Sequence, residues 1–200
     1  MNITTPTPST WRTWTAATAV LLTTATLTAP AATPAAARTT AIAANTPHTA
    51  LSCRAATPPG RPLTFTPALT LSQRTTRITA TLRLTGCTTP NGHHPQLRSA
   101  TLTLDGTARA GCSGASTPDG SARITWYNAQ GHHTGTSTVQ STPRFVSSYN
   151  PGDALLSGRV TQGPLHGTRM TGTATPTSDV SGCAAHGLRT LSATGTLKFQ

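Results

Sequence analysis

Few residues of this 200-residue chain have the type and spacing to carry chemistry. The adjacent pairs His93-His94 and His132-His133 come nearest to a metal site or a general base, since imidazole serves in both roles. Neighbours on an extended chain point to opposite faces, and no carboxylate or further histidine accompanies either pair locally. Each therefore reads as an exposed loop pair unless the two loops meet. A serine hydrolase needs a nucleophile on a strained turn, a histidine base and an orienting carboxylate. Gly111-Cys112-Ser113-Gly114 has the outline of such a turn around Ser113, but no full signature surrounds it and Cys112 is expected in a disulfide. Glycosidase chemistry needs two carboxylates. There is no Glu, and Asp105, Asp119 and Asp153 sit in Asp-Gly and Pro-Gly-Asp contexts that turn formation explains, which leaves Asp179 in a polar loop. Tyr127, Phe145 and Tyr149 could form an aromatic ligand platform, although core or rim packing is the plainer account. The expectation is a chain with no catalytic, metal or cofactor site.

The cysteines speak more clearly. Cys53, Cys87, Cys112 and Cys183 are even in number and make no C-x-x-C pair, which points to two disulfides and away from zinc. Of the three connectivities, Cys53–Cys87 with Cys112–Cys183 is favoured. Cys53 opens the first strand region and Cys87 closes the next long one, so antiparallel pairing brings them together.

The elements that would position these residues are strands. In Gly120 to Tyr127, Ala122, Ile124 and Trp126 alternate with Arg123, Thr125 and Tyr127, the period of a half-buried strand. Trp126 is the one tryptophan outside the N-terminal region and is expected to anchor the core. Ile78, Ala80, Leu82 and Leu84 alternate with Thr and Arg in the clearest strand of all. Leu63 to Leu71 alternates around Pro67, which suits an edge. Leu97 to Ala110 is a long strand region with a possible break at Asp105-Gly106, and Pro118-Asp119-Gly120 reads as the turn into the Trp126 strand. Thr136 to Tyr149, Leu155 to Gln162, Thr168 to Thr175 and Leu188 to Phe199 supply the rest, with a turn at Asn150-Pro151-Gly152-Asp153. Eight or nine strands without useful helical periodicity indicate an all-β antiparallel sandwich or barrel.

The first part of the chain differs in kind. Residues 1–37 have the form of a signal peptide: Arg12 as the early positive charge, a weakly apolar run from Ala16 to Ala29, and Ala35-Ala36-Ala37 at a small-x-small cleavage site. Residues 38–49 read as a flexible linker and residues 50–200 as the all-β domain. Cys53 comes too late for a lipoprotein, and no later apolar run has membrane-spanning length. The expectation is an extracellular protein with no membrane insertion once the leader is removed.

Net charge is +11, from fifteen Arg and Lys against four Asp. Such an excess suits an anionic partner, whether nucleic acid, acidic lipid or wall polymer. The arginines are scattered singly at presumed outward positions, among them Arg77, Arg83, Arg109, Arg123, Arg159 and Arg169, with no basic run interleaved with aromatics. A dedicated nucleic-acid surface is therefore not expected, and the plain reading of the charge is a solvated, Arg-biased exterior.

Ser52-Cys53, Pro67-Ala68-Leu69-Thr70-Leu71, Leu84-Thr85-Gly86-Cys87, Gly111-Cys112, Ile124-Thr125-Trp126, Ser137-Thr138-Val139, Ser157 to Gly163 and Gly182 to Leu188 occur in an order that resembles a group of small secreted all-β proteins of actinobacteria. The resemblance covers nearly the whole domain and implies fold and location, not chemistry. At Tyr127 to Gly135 this chain departs from the pattern with a longer turn bearing His132-His133. The functional expectation is a secreted, non-enzymatic module acting by surface contact with a cell-envelope polymer or another secreted protein. The alternatives are a hydrolase or metalloenzyme using His132, His133 and a turn Asp, and a secreted protease inhibitor.

Overall fold

The computed structural model describes residues 48–142 and 156–200. The leader, most of the linker, Phe145, Tyr149 and the turn ending at Asp153 lie outside the described residues.

The alternation of apolar with Thr, Ser and Arg residues produces strands throughout. The described strands are β1 (Leu51–Ala56), β2 (Leu63–Leu69), β3 (Arg74–Thr88), β4 (Ser99–Gly111), β5 (Gly114–Tyr127), β6 (His133–Ser141), β7 (Gly158–Gln162), β8 (Arg169–Pro176), β9 (Leu188–Leu191) and β10 (Ala193–Phe199). One four-residue helix, α1 (Cys183–His186), precedes β9. Every pairing is antiparallel. Eight strands in the order β1-β10-β8-β7-β6-β5-β4-β3 close on themselves through β1–β3, so the fold is a barrel and not a sandwich. The remaining two lie outside it: β2 pairs with the first half of β3, and β9 pairs with β2.

We call the end that holds the start of β1 and the end of β3 the upper end. Trp126 is wholly buried there, its ring edge-on to that of Phe199 at 5.6 Å. Leu51, Leu84, Leu97, Leu102 and Ile124 complete the packing. The indole Nε1 donates to Ser137 Oγ at 2.9 Å, and the Ser137 hydroxyl donates to the Pro164 carbonyl in the β7–β8 turn. The lower half retains an apolar void of about 30 Å³ where leucines such as Leu82, Leu104 and Leu156 meet the smaller Ala55, Ala80 and Ala174.

Both disulfides have the expected connectivity. Cys53–Cys87 bridges β1 to β3, and Cys112–Cys183 ties the β4–β5 turn to α1. Several local expectations change. Asp105-Gly106 does not break β4, and Pro118-Asp119-Gly120 is not a turn but part of β5. The chain reverses earlier, at Cys112-Ser113, where Gly111 faces Gly114. Gly106 and Gly120 face each other, and a Cβ on Gly120 would lie 2.5 Å from Gly106 Cα. These glycines serve a close backbone approach, while Thr117, with φ of 46°, and Pro118 form a bulge just below it. The stretch Leu188 to Phe199 is two strands joined at a corner at Ser192.

Candidate functional site

The topology sends six of the seven histidines to the upper end of the barrel. His48 precedes β1, His93 and His94 lie between β3 and β4, His132 and His133 close the β5–β6 connection, and His166 lies between β7 and β8. His186 ends α1. Sharing an end does not join them into a site, because among the described residues no group of three or more His, Cys, Asp or Glu is disposed to hold a metal ion. The two pairs are placed by their own loops. Asn91 Oδ1 accepts from the His93 backbone N–H, and Asn128 Oδ1 accepts from the N–H groups of Gln130 and His132. His133 pairs its ring nitrogen with Thr136 Oγ1 at 3.3 Å and sets its ring edge against Tyr127. Tyr127 is half-buried, and its proposed platform partners Phe145 and Tyr149 lie outside the described residues.

The nucleophile and carboxylate candidates are also accounted for locally. Ser113 is exposed on the two-residue β4–β5 turn beside the bridged Cys112. Asp179 accepts from the Ser181 backbone N–H at 2.8 Å, a bond that holds its carboxyl below the ordinary value. Asp105 receives two hydrogen bonds from Arg77, at 3.1 and 2.7 Å, and the pair is more than half exposed. That bonding, more than the attraction of unlike charges, lowers the Asp105 pKa and raises that of Arg77. Nothing in the Asp105-Gly106 dipeptide points to this pairing, because Arg77 is 28 positions away.

Concave features occur away from the upper-end histidines, among them a groove of about 330 Å³ bordered by Arg61, Thr81, Thr103 and Asp105. At the lower end a cleft of about 380 Å³ opens beside the Cys112–Cys183 bridge, with Leu69, Leu188, Leu191, Pro176 and Val180 in its walls. A shallower groove of about 360 Å³ crosses the outer face of β8 and β10 and is lined by Thr171, Thr173, Thr196, Lys198 and Gln200.

The outer wall itself carries the exposed cations. Arg77, Arg83, Arg109, Arg123, Arg159 and Arg169 are all exposed on strands, as their alternation indicates. Arg54 on β1 and Lys198 on β10 join them, as do Arg61, Arg74, Arg98 and Arg189. Among the described residues Arg77–Asp105 is the one ion pair. Three guanidiniums are placed by backbone: Arg159 Nη1 donates to the Gly167 carbonyl at 2.8 Å, Arg74 Nη2 donates to the Ala68 carbonyl at 2.7 Å, and Arg54 lies over the bare Cα of Gly86, where a Cβ would stand 3.0 Å from its Nη2. Between these cations the wall is largely threonine, with Thr81, Thr101, Thr103, Thr125, Thr136 and Thr138 on neighbouring strands. Single-residue reading finds each outward arginine but not their mutual arrangement, which depends on the register between strands.

Comparison with protein-family models, with curated proteins and with solved structures yields no match.

Proposed function

We propose that this chain is an exported, non-enzymatic binding module that works by surface contact with an anionic polymer of the cell envelope. The observation that carries this reading is that every described Arg and Lys side chain is exposed, while one carboxylate among the described residues forms an ion pair with any of them. A wall of that composition raises the local concentration of anions and binds them in a salt-dependent way. The two disulfides suit an oxidising compartment, and among the described residues no helix is long and apolar enough to cross a membrane. The signal-peptide pattern of residues 1–37 and the resemblance to secreted actinobacterial proteins support export.

The test is retention of the oxidised protein on an immobilised uronic acid polymer at low ionic strength, with uncharged matrix as control. Retention followed by elution in a sodium chloride gradient is the expected result. Passage straight through the charged column at low salt refutes the reading.

A further inference from the structure

The register between strands places six of the exposed cations in one series. Lys198 on β10 faces Ser52 on β1, and Arg54, two residues further down β1, faces Thr196. Arg54 also faces Thr85 on β3, and Arg83 lies two residues below that. Arg83 faces Thr101 on β4, and two residues below it Thr103 faces Arg123 on β5. Arg123 faces Thr138 on β6, and two residues below it Gln140 faces Arg159 on β7. Arg159 faces Arg169 on β8, whose backbone pairs with Gln200, two residues above Lys198. In a barrel with staggered strands, the line of directly opposite residues climbs as it is followed around. The repeated drop of two residues cancels that climb, holds the cations at one height and returns the series to the strand where it began.

We propose that this closed belt of Lys198, Arg54, Arg83, Arg123, Arg159 and Arg169 is the contact line for a linear, hydroxyl-bearing polyanion, which rests on the anion-binding reading above and assigns it to particular residues. All six side chains are exposed. Successive belt cations stand one or two strands apart, roughly 5 to 10 Å across the sheet, a spacing that repeating anionic units can follow. The strands that lack a belt cation, β4 and β6, present Thr101, Thr103, Thr136 and Thr138 in the gaps, which offers hydroxyl partners to a polyol or sugar backbone. Nucleic acid fits less well, because single strands are gripped by aromatic stacking. Among the described residues Trp126, Phe65 and Phe199 are buried, and Tyr127 sits against His133. The belt also runs against the interest of the fold alone. Arg159 and Arg169 are directly opposite like charges, an unfavourable cross-strand pair, and the one paired carboxylate among the described residues goes to Arg77 and not to the belt.

The experiment compares the full oxidised chain with two triple variants that lose the same charge: Arg83→Gln/Arg123→Gln/Arg159→Gln in the belt, and Arg98→Gln/Arg109→Gln/Arg189→Gln away from it. Binding of fluorescent poly(glycerol phosphate) and of oligo-alginate is titrated at several salt concentrations, with single-stranded DNA of matched charge alongside and melting curves to confirm folding. The belt variant is expected to bind at least about tenfold more weakly, with the slope of log K against log salt reduced by about 2, while the other variant stays within about twofold of the parent. Equal weakening by both variants overturns the belt and leaves the anion-binding reading intact. Failure of the parent protein to bind any polyanion overturns both. Tighter binding to the DNA than to either hydroxylated polymer also overturns the proposal and makes nucleic acid the partner.

Discussion

A buried indole must place its N–H, and Trp126 does so on Ser137, whose side chain is itself wholly enclosed and donates its own hydrogen bond to the Pro164 carbonyl. Ser137→Ala removes one hydroxyl and leaves both a donor and an acceptor without their partner. The expected cost is about 1 to 3 kcal/mol, read as a lower urea midpoint at unchanged slope by far-ultraviolet circular dichroism. The alternation of Ala122, Ile124 and Trp126 makes the anchor itself legible in the sequence, but nothing marks Ser137 among the Ser and Thr residues around it. Asp105 was hidden for a related reason: its neighbour Gly106 suggests a turn, and its true partner Arg77 becomes visible only with the β3–β4 register. Because bonding to Arg77 depresses the folded Asp105 pKa below 3.8, the pair stabilises the fold above that range and loses its effect as pH falls through the depressed value. Asp105→Asn is therefore expected to melt slightly below the parent at pH 7 and to converge with it on acidification below 3.8. Melting curves across pH 2 to 7 check this, and a gap that persists at the acid end would assign the effect to something other than the ion pair.

At the scale of elements, glycine in an Asp-Gly step has two possible meanings, and the sequence favours the wrong one twice. Both Gly106 and Gly120 follow Asp, yet they lie mid-strand where β4 and β5 backbones touch. A Cβ at Gly120 would stand 2.5 Å from Gly106 Cα and 2.6 Å from the Asp105 carbonyl oxygen, and both are backbone atoms that no rotamer change can move. Gly120→Ala is expected to cost about 2 kcal/mol or more by forcing the strands apart, whereas Gly60→Ala, at φ of 71° with no atom within 4 Å, bears only the backbone penalty of about 1 kcal/mol. Denaturation midpoints of the two variants would order the effects, and an equal loss in both would remove the close-approach argument. The corner between β9 and β10 was illegible for a different reason. Leu191 and Ala193 are both buried across Ser192, so the period of two survives the bend and a single strand is all that alternation can report.

For the whole molecule, a sandwich and a barrel share the same hairpins, and what separates them here is the pairing of β1 with β3 as well as with β10. The clue nearest to hand was Cys53–Cys87, which required these two strands to meet without saying that the sheet closes. Closure has an electrostatic consequence that composition alone does not give. The β1–β3 pairing that closes the barrel sets Arg54 two residues from Arg83 in register, Arg159 faces Arg169 across the β7–β8 hairpin, and Arg77–Asp105 is the single ion pair among the described residues. A surface of one sign repels itself, and salt relieves that repulsion once the Debye length falls to the spacing between charges. Between 10 mM and 100 mM sodium chloride that length drops from about 30 Å to about 10 Å, which is close to the two-strand separation of neighbouring belt cations. The melting temperature is therefore expected to rise by a few degrees over this interval, to rise likewise with potassium chloride, and to rise further when a soluble polyanion is added at low salt. Scanning calorimetry of the oxidised protein decides the matter: a melting temperature that falls with added salt would mean that ion pairs, and not unanswered cations, dominate the electrostatics of this barrel.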